Sequence, residues 1–405
     1  MRRKLGILLA VTALAVAGCG VQDEDEGGAA AEGEYRIVHL LGLNQSGAGA
    51  LNAQAASQAA KAAVQVLNER GGVLGNKVVY EVIETGGDPT TAVTKLNERL
   101  ASGPTPNLIL PGNTSAEALP MAPVITQAKV LSVQQAGAAD LNNPTEFPYL
   151  FQVVPTNASM AAQLVTYLRD NNLSRVAMIS GKDAFGQATA EATRKALAEA
   201  GIELVGDETY SAEDLDMTAQ LERLRAADPD VLFLQGAGSP VGYVLESREK
   251  LGWMDVPVIA DSTASVTSLL ARPAPDGLVG TPTAEGVHVQ VLTAAIIGSE
   301  EVNPGALDTM LEALAAQGEI NMPLNTYFVY DAIMLAAAAA ERAGTIDDAE
   351  KLAQTLESFT GDEEGLWALS RYSYSADSHA VATDPTSTTI IPITALVNGR
   401  YDLGS

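Results

Sequence analysis

The chain has 405 residues, 47% of them hydrophobic, a length that exceeds one ordinary core and suits two domains. It carries 24 Lys and Arg against 50 Asp and Glu, a formal net charge of −26. Such a surface repels nucleic acid and anionic lipid headgroups, so no nucleic-acid partner is predicted. A buried pocket can differ in charge from the surface, so the charge leaves the ligand open.

The first 18 residues have the pattern of an export signal. Three basic residues at 2–4 precede an apolar run over 5–17, which is too short to span a bilayer as a permanent helix. The run leads into VAGC, which ends at Cys19, the single cysteine of the chain. Small residues before a cysteine resemble the bacterial lipoprotein cleavage box, which predicts a signal peptide over 1–18 and lipidation of Cys19. The alternative is an ordinary signal peptide with an accidental cysteine.

The stretch 21–34 is acidic, rich in Gly and Ala, and without large apolar residues. We therefore predict that 19–34 comprise the lipidated cysteine and a flexible tether. One acylated cysteine leaves none for a disulfide, so core burial must hold the fold. The apolar stretch 327–340 carries Asp331 and is typical of a buried helix rather than a membrane span. The protein is thus predicted to be exported and held by lipid at the outer face of a bacterial membrane.

From Arg36 onwards the chain alternates between strand and helix periodicity. Short apolar runs typical of strands lie at 36–43, 77–83, 107–111 and 129–133. Segments with helical apolar spacing lie between them at 52–70, 90–101 and 115–128. Alternation at this pace predicts a parallel sheet with helices on both faces.

The second half of the chain repeats this order. Strand patterns at 175–180 and 202–210 flank a helical segment that ends at Gly201. The stretch 216–236 then matches 90–112 in its order of elements, and each closes on a glycine. Two copies of one unit predict an α/β fold of two similar doubly wound parallel-sheet lobes. Ligands bind at the carboxyl ends of parallel strands, so two such lobes are expected to enclose a cleft.

The glycine-rich stretch LNERGGVLGNKVVYEV, residues 67–82, is not a phosphate loop. It fails the spacing of both the Walker and the dinucleotide motifs, and its glycines follow a helix rather than a strand. We predict that Gly71 or Gly72 takes the left-handed position that ends the helix. Val73 and Leu74 are predicted to pin the following turn to the core.

The order helix, NERGGVLG, strand, GDP, helix resembles the Leu/Ile/Val-binding family of bacterial solute receptors. Further segments resemble the same family in the same order: FPYLFQVVPTNAS (147–159), YSAEDLDMTAQLERLRAADPDVLFL (210–234), AEGVHV (284–289), YFVYDAIMLAAAA (327–339), YSYSADSHA (372–380) and ALVNGRY (395–401). The resemblance covers nearly the whole mature chain. It implies a type I periplasmic binding protein, with two lobes joined by a three-strand hinge, that serves an ABC importer. By this resemblance, lobe 1 comprises 35–156 plus 290–360, and lobe 2 comprises 157–289 plus 361–405.

The resemblance also implies ligand contacts in the loop after the third predicted strand, from Asn113, Thr114 and Ser115. Thr114 begins a T-x-x-E pattern with Glu117, which is a capping box, so Thr114 could merely cap its helix. Both roles are compatible, because the free N–H groups at a helix start also suit a carboxylate.

Further first-lobe contacts are implied around two neighbouring loops. Gln134, Gln135 and Gly137 follow the fourth predicted strand, and the family often has threonine where Gly137 falls. Ser46 and Asn52 lie at the Gly-rich entry to the first helix. The family commonly has an aromatic residue where Asn52 falls, which implies a more polar or more open pocket wall.

The second lobe is expected to contribute Phe185, Ala237 and Asp261. Phe185 stands where the family usually has tyrosine, and the alternative is that it only packs within the lobe. The segment around Ala237 lacks the aromatic expected there. Asp261, or its neighbour Ser262, lies near the acidic position that would meet an ammonium group.

Enzyme chemistry is not indicated. The histidines at 39, 288 and 379 lie far apart in sequence, and no nucleophile elbow, second cysteine or metal-ligand spacing accompanies them. We predict structural roles for all three histidines, with no cofactor and no metal.

The sequence therefore predicts a lipid-anchored monomer that captures a small polar solute by cleft closure and delivers it to ABC permease subunits. Its ligand is an amino acid, an amide or a small organic acid. The alternatives are a ligand sensor for a membrane receptor and an exported hydrolase.

Overall fold

The computed structural model describes residues 33–45, 48–182, 184–236, 238–265, 268–320, 323–381 and 387–404. The strands are β1 (Glu34–Leu41), β2 (Lys77–Glu84), β3 (Leu108–Leu110), β4 (Ser132–Gln134), β5 (Leu150–Gln152), β6 (Arg175–Gly181), β7 (Glu203–Tyr210), β8 (Val231–Gln235), β9 (Val258–Ala260), β10 (Val287–Leu292), β11 (Thr388–Pro392), β12 (Leu396–Val397) and β13 (Arg400–Tyr401). The helices are α1 (Ala48–Glu69), α2 (Pro89–Ser102), α3 (Ser115–Ala128), α4 (Asn157–Asp170), α5 (Ala184–Ala200), α6 (Thr218–Ala226), α7 (Ser239–Lys250), α8 (Ser262–Ser265), α9 (Ser268–Ala271), α10 (Ala306–Gln317), α11 (Pro323–Ala343) and α12 (Ala349–Glu357).

Two parallel arrangements of strands share one order. In the first half, β2, β1 and β3 form a sheet, and a bridge from Leu108 to Leu131 leads on to the parallel pair β4–β5. In the second half the order is β7-β6-β8-β9-β10, and β11 adds an antiparallel strand beside β10. The predicted duplication is therefore confirmed, because the first five strands of each half follow the same spatial order.

Helices cover both faces of the first sheet, which explains its continuous apolar strands. Successive residues of β3 point to opposite faces. Leu108 and Leu110 belong to the apolar cluster that includes α1 and α11, whereas Ile109 belongs to the cluster of α2 and α3. Both faces are thus buried, as expected for a parallel α/β lobe.

The glycine-rich turn after α1 ends the helix as predicted. The Gly72 N–H donates to the Leu67 carbonyl at 2.8 Å and the Gly71 N–H donates to the Asn68 carbonyl at 3.1 Å. These two bonds form a Schellman motif, with Gly71 in the left-handed region at φ 95°.

The two residues that follow do not behave alike. Val73 is fully buried, and its backbone exchanges hydrogen bonds with Asn76 at 3.0 and 2.9 Å. Leu74 is 41% exposed, so the prediction that it pins the turn to the core was wrong. The reason is local, because Leu74 and Gly75 both have positive φ at the tip of a tight turn, where the Leu74 side chain is exposed.

The chain passes from one sheet to the other after β5, after β10 and before β11. The C-terminal hairpin β12–β13 packs against the crossing that follows β10. The Ile297 N–H of that crossing donates to the Tyr401 carbonyl at 3.0 Å, and the Tyr327 hydroxyl of α11 donates to the Gly399 carbonyl at 2.8 Å. The hairpin is thus tied both to a crossing and to α11.

Asp331 in α11 holds the stretch after α12. Its carboxyl accepts from the backbone N–H groups of Ala368 and Leu369 at 2.7 and 2.9 Å, and from the Tyr372 hydroxyl at 2.8 Å. The predicted lobe boundaries stay a prediction. These contacts with α11, which packs on α1 and β4, favour assigning 361–381 to the first lobe rather than the second.

The apolar run at 327–340 forms part of α11 and packs inside the protein. No helix in the described part of the chain combines the length and hydropathy needed to span a bilayer. The signal peptide and the tether predicted over 1–18 and 19–34, including Cys19, lie almost wholly outside the described residues.

Candidate functional site

The predicted site residues lie where parallel strands end. Asn113 follows β3, Gln134 is the last residue of β4, and Asp261 follows β9. In the first half, the bridge from Leu108 to Leu131 places β4 beside β3, so the carboxyl ends of these two strands lie at one edge, whereas β9 ends at the edge of the second sheet.

A glycine with positive φ closes the equivalent strand in each half. Gly112 follows β3 at φ 84° and Gly236 follows β8 at φ 144°. A side chain at Gly236 would overlap the Tyr210 hydroxyl, which donates to the Gln235 carbonyl at 2.9 Å. The two glycines that match in the sequence therefore have the same role, since each forms the positive-φ turn after the equivalent strand of its half.

Thr114 is the N-cap of α3, as its sequence pattern predicted. Its hydroxyl accepts from the Glu117 N–H at 3.3 Å and donates to Glu117 Oε2 at 3.1 Å. Both roles of the hydroxyl are used within the cap. A ligand contact by Thr114 stays a prediction, and its hydroxyl could take part only as an acceptor.

The loops after β3 and β4 are joined directly. The Ser115 hydroxyl oxygen accepts from the backbone N–H of Ala138 at 3.1 Å. Gln152 in β5, paired in register with Gln134, donates its amide to the carbonyls of Ala136 and Ala138 at 2.6 and 3.0 Å. These bonds fix the 134–138 loop beside the start of α3.

Buried amide groups without partners collect at this edge. Asn113 Oδ1 and both amide atoms of Gln134 and Gln135 have no hydrogen-bond partner among the described residues, and Gln134 is only 2% exposed. An unpaired buried polar group costs about 1–3 kcal/mol, so each of these amides calls for a partner such as a polar group of a ligand or a water molecule. The three residues are therefore the strongest structural indication of a binding site.

Two other predicted positions border this edge. Gly137 has room, because a Cβ there would lie 3.4 Å from Val154 Cγ2, an ordinary contact. Asn52 lies in the first turns of α1 and is half-buried. Their contact with a ligand remains a prediction.

At the end of β9 in the second sheet, Asp261 is buried and immediately precedes α8. Its Oδ1 accepts from the Ala264 N–H at 2.7 Å, and its own N–H donates to the Leu234 carbonyl at 3.0 Å. Asp261 therefore lies next to the end of β8, and its predicted pairing with an ammonium group is not tested by these bonds. Ser46 and Ala237 lie outside the described residues; Phe185 begins α5 as its second residue, and its side chain is also outside them.

Sequence reasoning missed Gln152 and did not assign Glu117 to the site. A polar residue inside an otherwise buried strand was the available signal for Gln152, but its partner loop could not be known without the strand register. In the sequence, Glu117 shows only as the end of a capping pattern. In the structure the residue is 3% exposed, and its carboxyl also accepts from the Thr85 hydroxyl at 3.3 Å.

The histidines are held in separate structural settings. Burial lowers the pKa of His39 to about 3, and it also lowers the pKa of His288. Burial lowers the pKa of His379 as well, against the opposing effect of its 3.0 Å contact with Glu357. The His379 ring stacks on Phe151 at 3.8 Å between centroids. In the described ranges, no group of His, Cys, Asp and Glu is arranged to hold a metal ion.

Comparison with known proteins decides the family. The sequence profile of the periplasmic binding protein family matches residues 36–387, which is most of the chain. The chain belongs to the periplasmic binding protein family. The family consists of solute-binding proteins of transporters, which act outside the cytoplasm and are not enzymes, so the predicted non-enzymatic role is confirmed.

Individual members of the family agree with this assignment. The chain is 26% identical over 321 residues to "Leu/Ile/Val-binding protein homolog 3" of Brucella melitensis, covering 78% of this chain and 82% of that protein. It is 28% identical over 306 residues to "Leu/Ile/Val-binding protein BraC3" of Rhizobium johnstonii, covering 73% and 77%. The crystal structure of a type 1 periplasmic binding protein from Bordetella pertussis matches with a TM-score of 0.73 at 19% identity, covering 88% and 96%. The predicted type I fold is thereby confirmed.

Proposed function

We propose that this protein is a lipid-anchored receptor that captures a small polar solute between its lobes and delivers it to an ABC permease. The observation that carries the proposal is the set of unpaired buried amides of Asn113, Gln134 and Gln135 at one edge of the first sheet. Together they offer both donors and acceptors, which suits a solute with a polar head.

The names of the relatives guide the choice of solute. Two relatives that share 26% and 28% identity with the chain are named as Leu/Ile/Val-binding proteins. Branched-chain amino acids are therefore the first solutes to test, followed by other amino acids, amides and small organic acids. Asp261 on the second sheet is the proposed partner of an ammonium group.

Capture proceeds by closure of the lobes. The polar head of the solute first pairs with the loops after β3 and β4, and closure brings Asp261 and Phe185 onto it from the second lobe. Charge-assisted hydrogen bonds contribute about 1.5–3 kcal/mol each, and they favour the closed form because the open form cannot make them all. The closed form is the species that the permease recognises.

The anchor is the lipid on Cys19, followed by the acidic tether up to residue 34. One diacyl group and a tether hold the receptor near the membrane without a spanning helix. Replacing Cys19 with alanine is expected to move the expressed protein from the membrane fraction to the soluble fraction. Retention of the Cys19→Ala protein in the membrane fraction would contradict lipid anchoring.

A thermal-shift screen with the mature protein tests the binding proposal. A solute at 100-fold its Kd adds about 2.7 kcal/mol to the free energy of unfolding, a large increase in Tm for a true ligand. Gln134→Leu is expected to abolish the shift while leaving the unliganded protein folded, because it removes an unpaired buried amide. Gln354→Leu, at an exposed site on α12, is the matched control. A full shift retained by Gln134→Leu would contradict the proposed site.

A further inference from the structure

Glu117 takes a core-facing position in the first turn of α3. It lies on the helix face that carries Met121 and Ile125, four and eight residues on, and those side chains are fully buried. An acidic residue at such a position is uncommon, because burying a carboxylate is costly unless its charge is satisfied.

Within the described ranges, the contacts recorded for the Glu117 carboxyl are with uncharged hydrogen-bond donors. Oε1 accepts from the Thr85 hydroxyl at 3.3 Å; Oε2 accepts from the Thr114 hydroxyl at 3.1 Å and the Asn113 N–H at 3.4 Å. The Thr85 hydroxyl itself accepts from the Gly87 N–H at 3.2 Å, which leaves its hydrogen available to Glu117. Two hydroxyl groups and one backbone N–H thus donate to this carboxyl.

The fold makes room for this carboxyl without placing a cation beside it in the described part of the chain. A side chain at Gly112 would place its Cβ 2.9 Å from Glu117 Cβ and 3.0 Å from Oε2, so the glycine permits the close approach. In the ranges that the structure describes, none of the ion pairs includes Glu117.

The unpaired amide of Gln134 lies in the same layer of the lobe as Glu117. Val133 belongs to the cluster that contains α11, so its neighbour Gln134 points to the opposite face of β4, where α3 packs. The bond from Ala138 to Ser115 joins the two loops at 3.1 Å. The Glu117 carboxyl and the unpaired amide of Gln134 therefore lie on the same side of the sheet, near the start of α3.

We propose that Glu117 determines the ligand class by holding its own carboxyl group beside the start of α3, where it accepts from the Asn113 N–H just before the helix. A helix N-terminus favours one negative charge, and a second carboxylate beside Glu117 would meet a like charge in a site of low dielectric. The site therefore takes solutes that present a neutral carboxamide or an amine to the first lobe. The amides of Gln134 and Gln135 can pair with a carboxamide as both donor and acceptor. This inference rests on the proposed function and narrows its ligand class.

Matched solute pairs that differ in one carboxyl group test the inference by titration calorimetry of the mature protein. The pairs are leucine with leucinamide, and butyrate with butyramide. Wild type is expected to bind the amide of at least one pair about tenfold or more tightly than the acid. Glu117→Gln, which keeps the shape and hydrogen-bonding capacity of the side chain, is expected to remove most of that preference by strengthening acid binding. Glu98→Gln, at an exposed site on α2, should leave the ratio unchanged.

The outcomes separate this inference from the proposed function. Equal or tighter binding of the acids by wild type, or an unchanged ratio in Glu117→Gln, would overturn the inference while leaving solute capture intact. Binding of neither member of either pair would also overturn it. The proposed function would then stand or fall on the wider thermal-shift screen. Far-UV circular dichroism and the Tm of each variant establish that it is folded.

Discussion

Asp331 is a fully buried acid on which the packing of α11 against 368–372 depends. Burial raises the pKa of its carboxyl from 3.8 to about 7, and the hydrogen bonds from Ala368, Leu369 and Tyr372 oppose that rise only in part. A raised pKa means that the folded protein holds a proton that the unfolded chain releases. The stability from this group is therefore fully present below about pH 4 and is lost as the pH rises through about 7.

Asp331→Asn should therefore show a pH-dependent cost. At pH 5 the variant is expected to lose about 1–3 kcal/mol of unfolding free energy, because the amide nitrogen cannot accept and leaves a buried donor unpaired. The gap between wild type and variant should narrow between pH 5 and pH 8, as wild type alone loses stability. Urea unfolding at each pH measures this difference in unfolding free energy, and Asp170→Asn, at an exposed site, is the control. A gap that widens over this range would refute the assignment.

The turn that joins α1 to β2 shows how one element end is specified by backbone geometry. Gly71 and Gly72 both have positive φ, at 95° and 81°, but their surroundings differ. A Cβ at Gly71 would meet nothing within 4 Å, whereas a Cβ at Gly72 would overlap the Asn76 carbonyl oxygen. A substitution at Gly71 therefore carries only the backbone conformational cost, whereas one at Gly72 adds a steric cost.

Gly71→Ala is expected to cost about 1–2 kcal/mol, the conformational penalty of an L-residue in the left-handed region. Gly72→Ala should cost clearly more, because the overlap with Asn76 adds to the same penalty. Denaturant unfolding of the two variants checks which one loses more unfolding free energy. Equal losses in the two variants would show that the overlap is relieved by a shift of the turn.

Elements defined by local chemistry could be predicted closely from the sequence. The helix predicted over 115–128 is α3 with the same bounds, because the Thr114 cap and the following apolar pattern fix its start. The strand predicted at 129–133 is found at 132–134 instead, since the residues before it form the left-handed end of α3 at Lys129, φ 53°. Short-range signals define elements well and their junctions less well.

The site was less predictable, because its geometry depends on pairings between distant residues. Gln152 reaches the 136–138 loop only because β5 pairs in register with β4. Thr85 reaches Glu117 across 32 positions of sequence. The sequence pattern showed polar residues after each strand, but which of their groups are already paired, as in Thr114, became visible only in the structure.

The whole molecule is two copies of one strand order, and the chain passes repeatedly between them. The order β2-β1-β3-β4-β5 recurs as β7-β6-β8-β9-β10, so the strand ends that carry the site residues have counterparts in both halves. Membership of the periplasmic binding protein family fits this duplication. The proposed function requires the two halves to move towards each other around a solute.

Small-angle X-ray scattering of the mature protein, with and without a saturating solute from the thermal-shift screen, tests this closure most directly. The account predicts a smaller radius of gyration in the bound state, and no change for the Gln134→Leu variant at the same solute concentration. A solute that binds tightly to wild type while the radius of gyration stays the same would contradict capture by closure of the lobes.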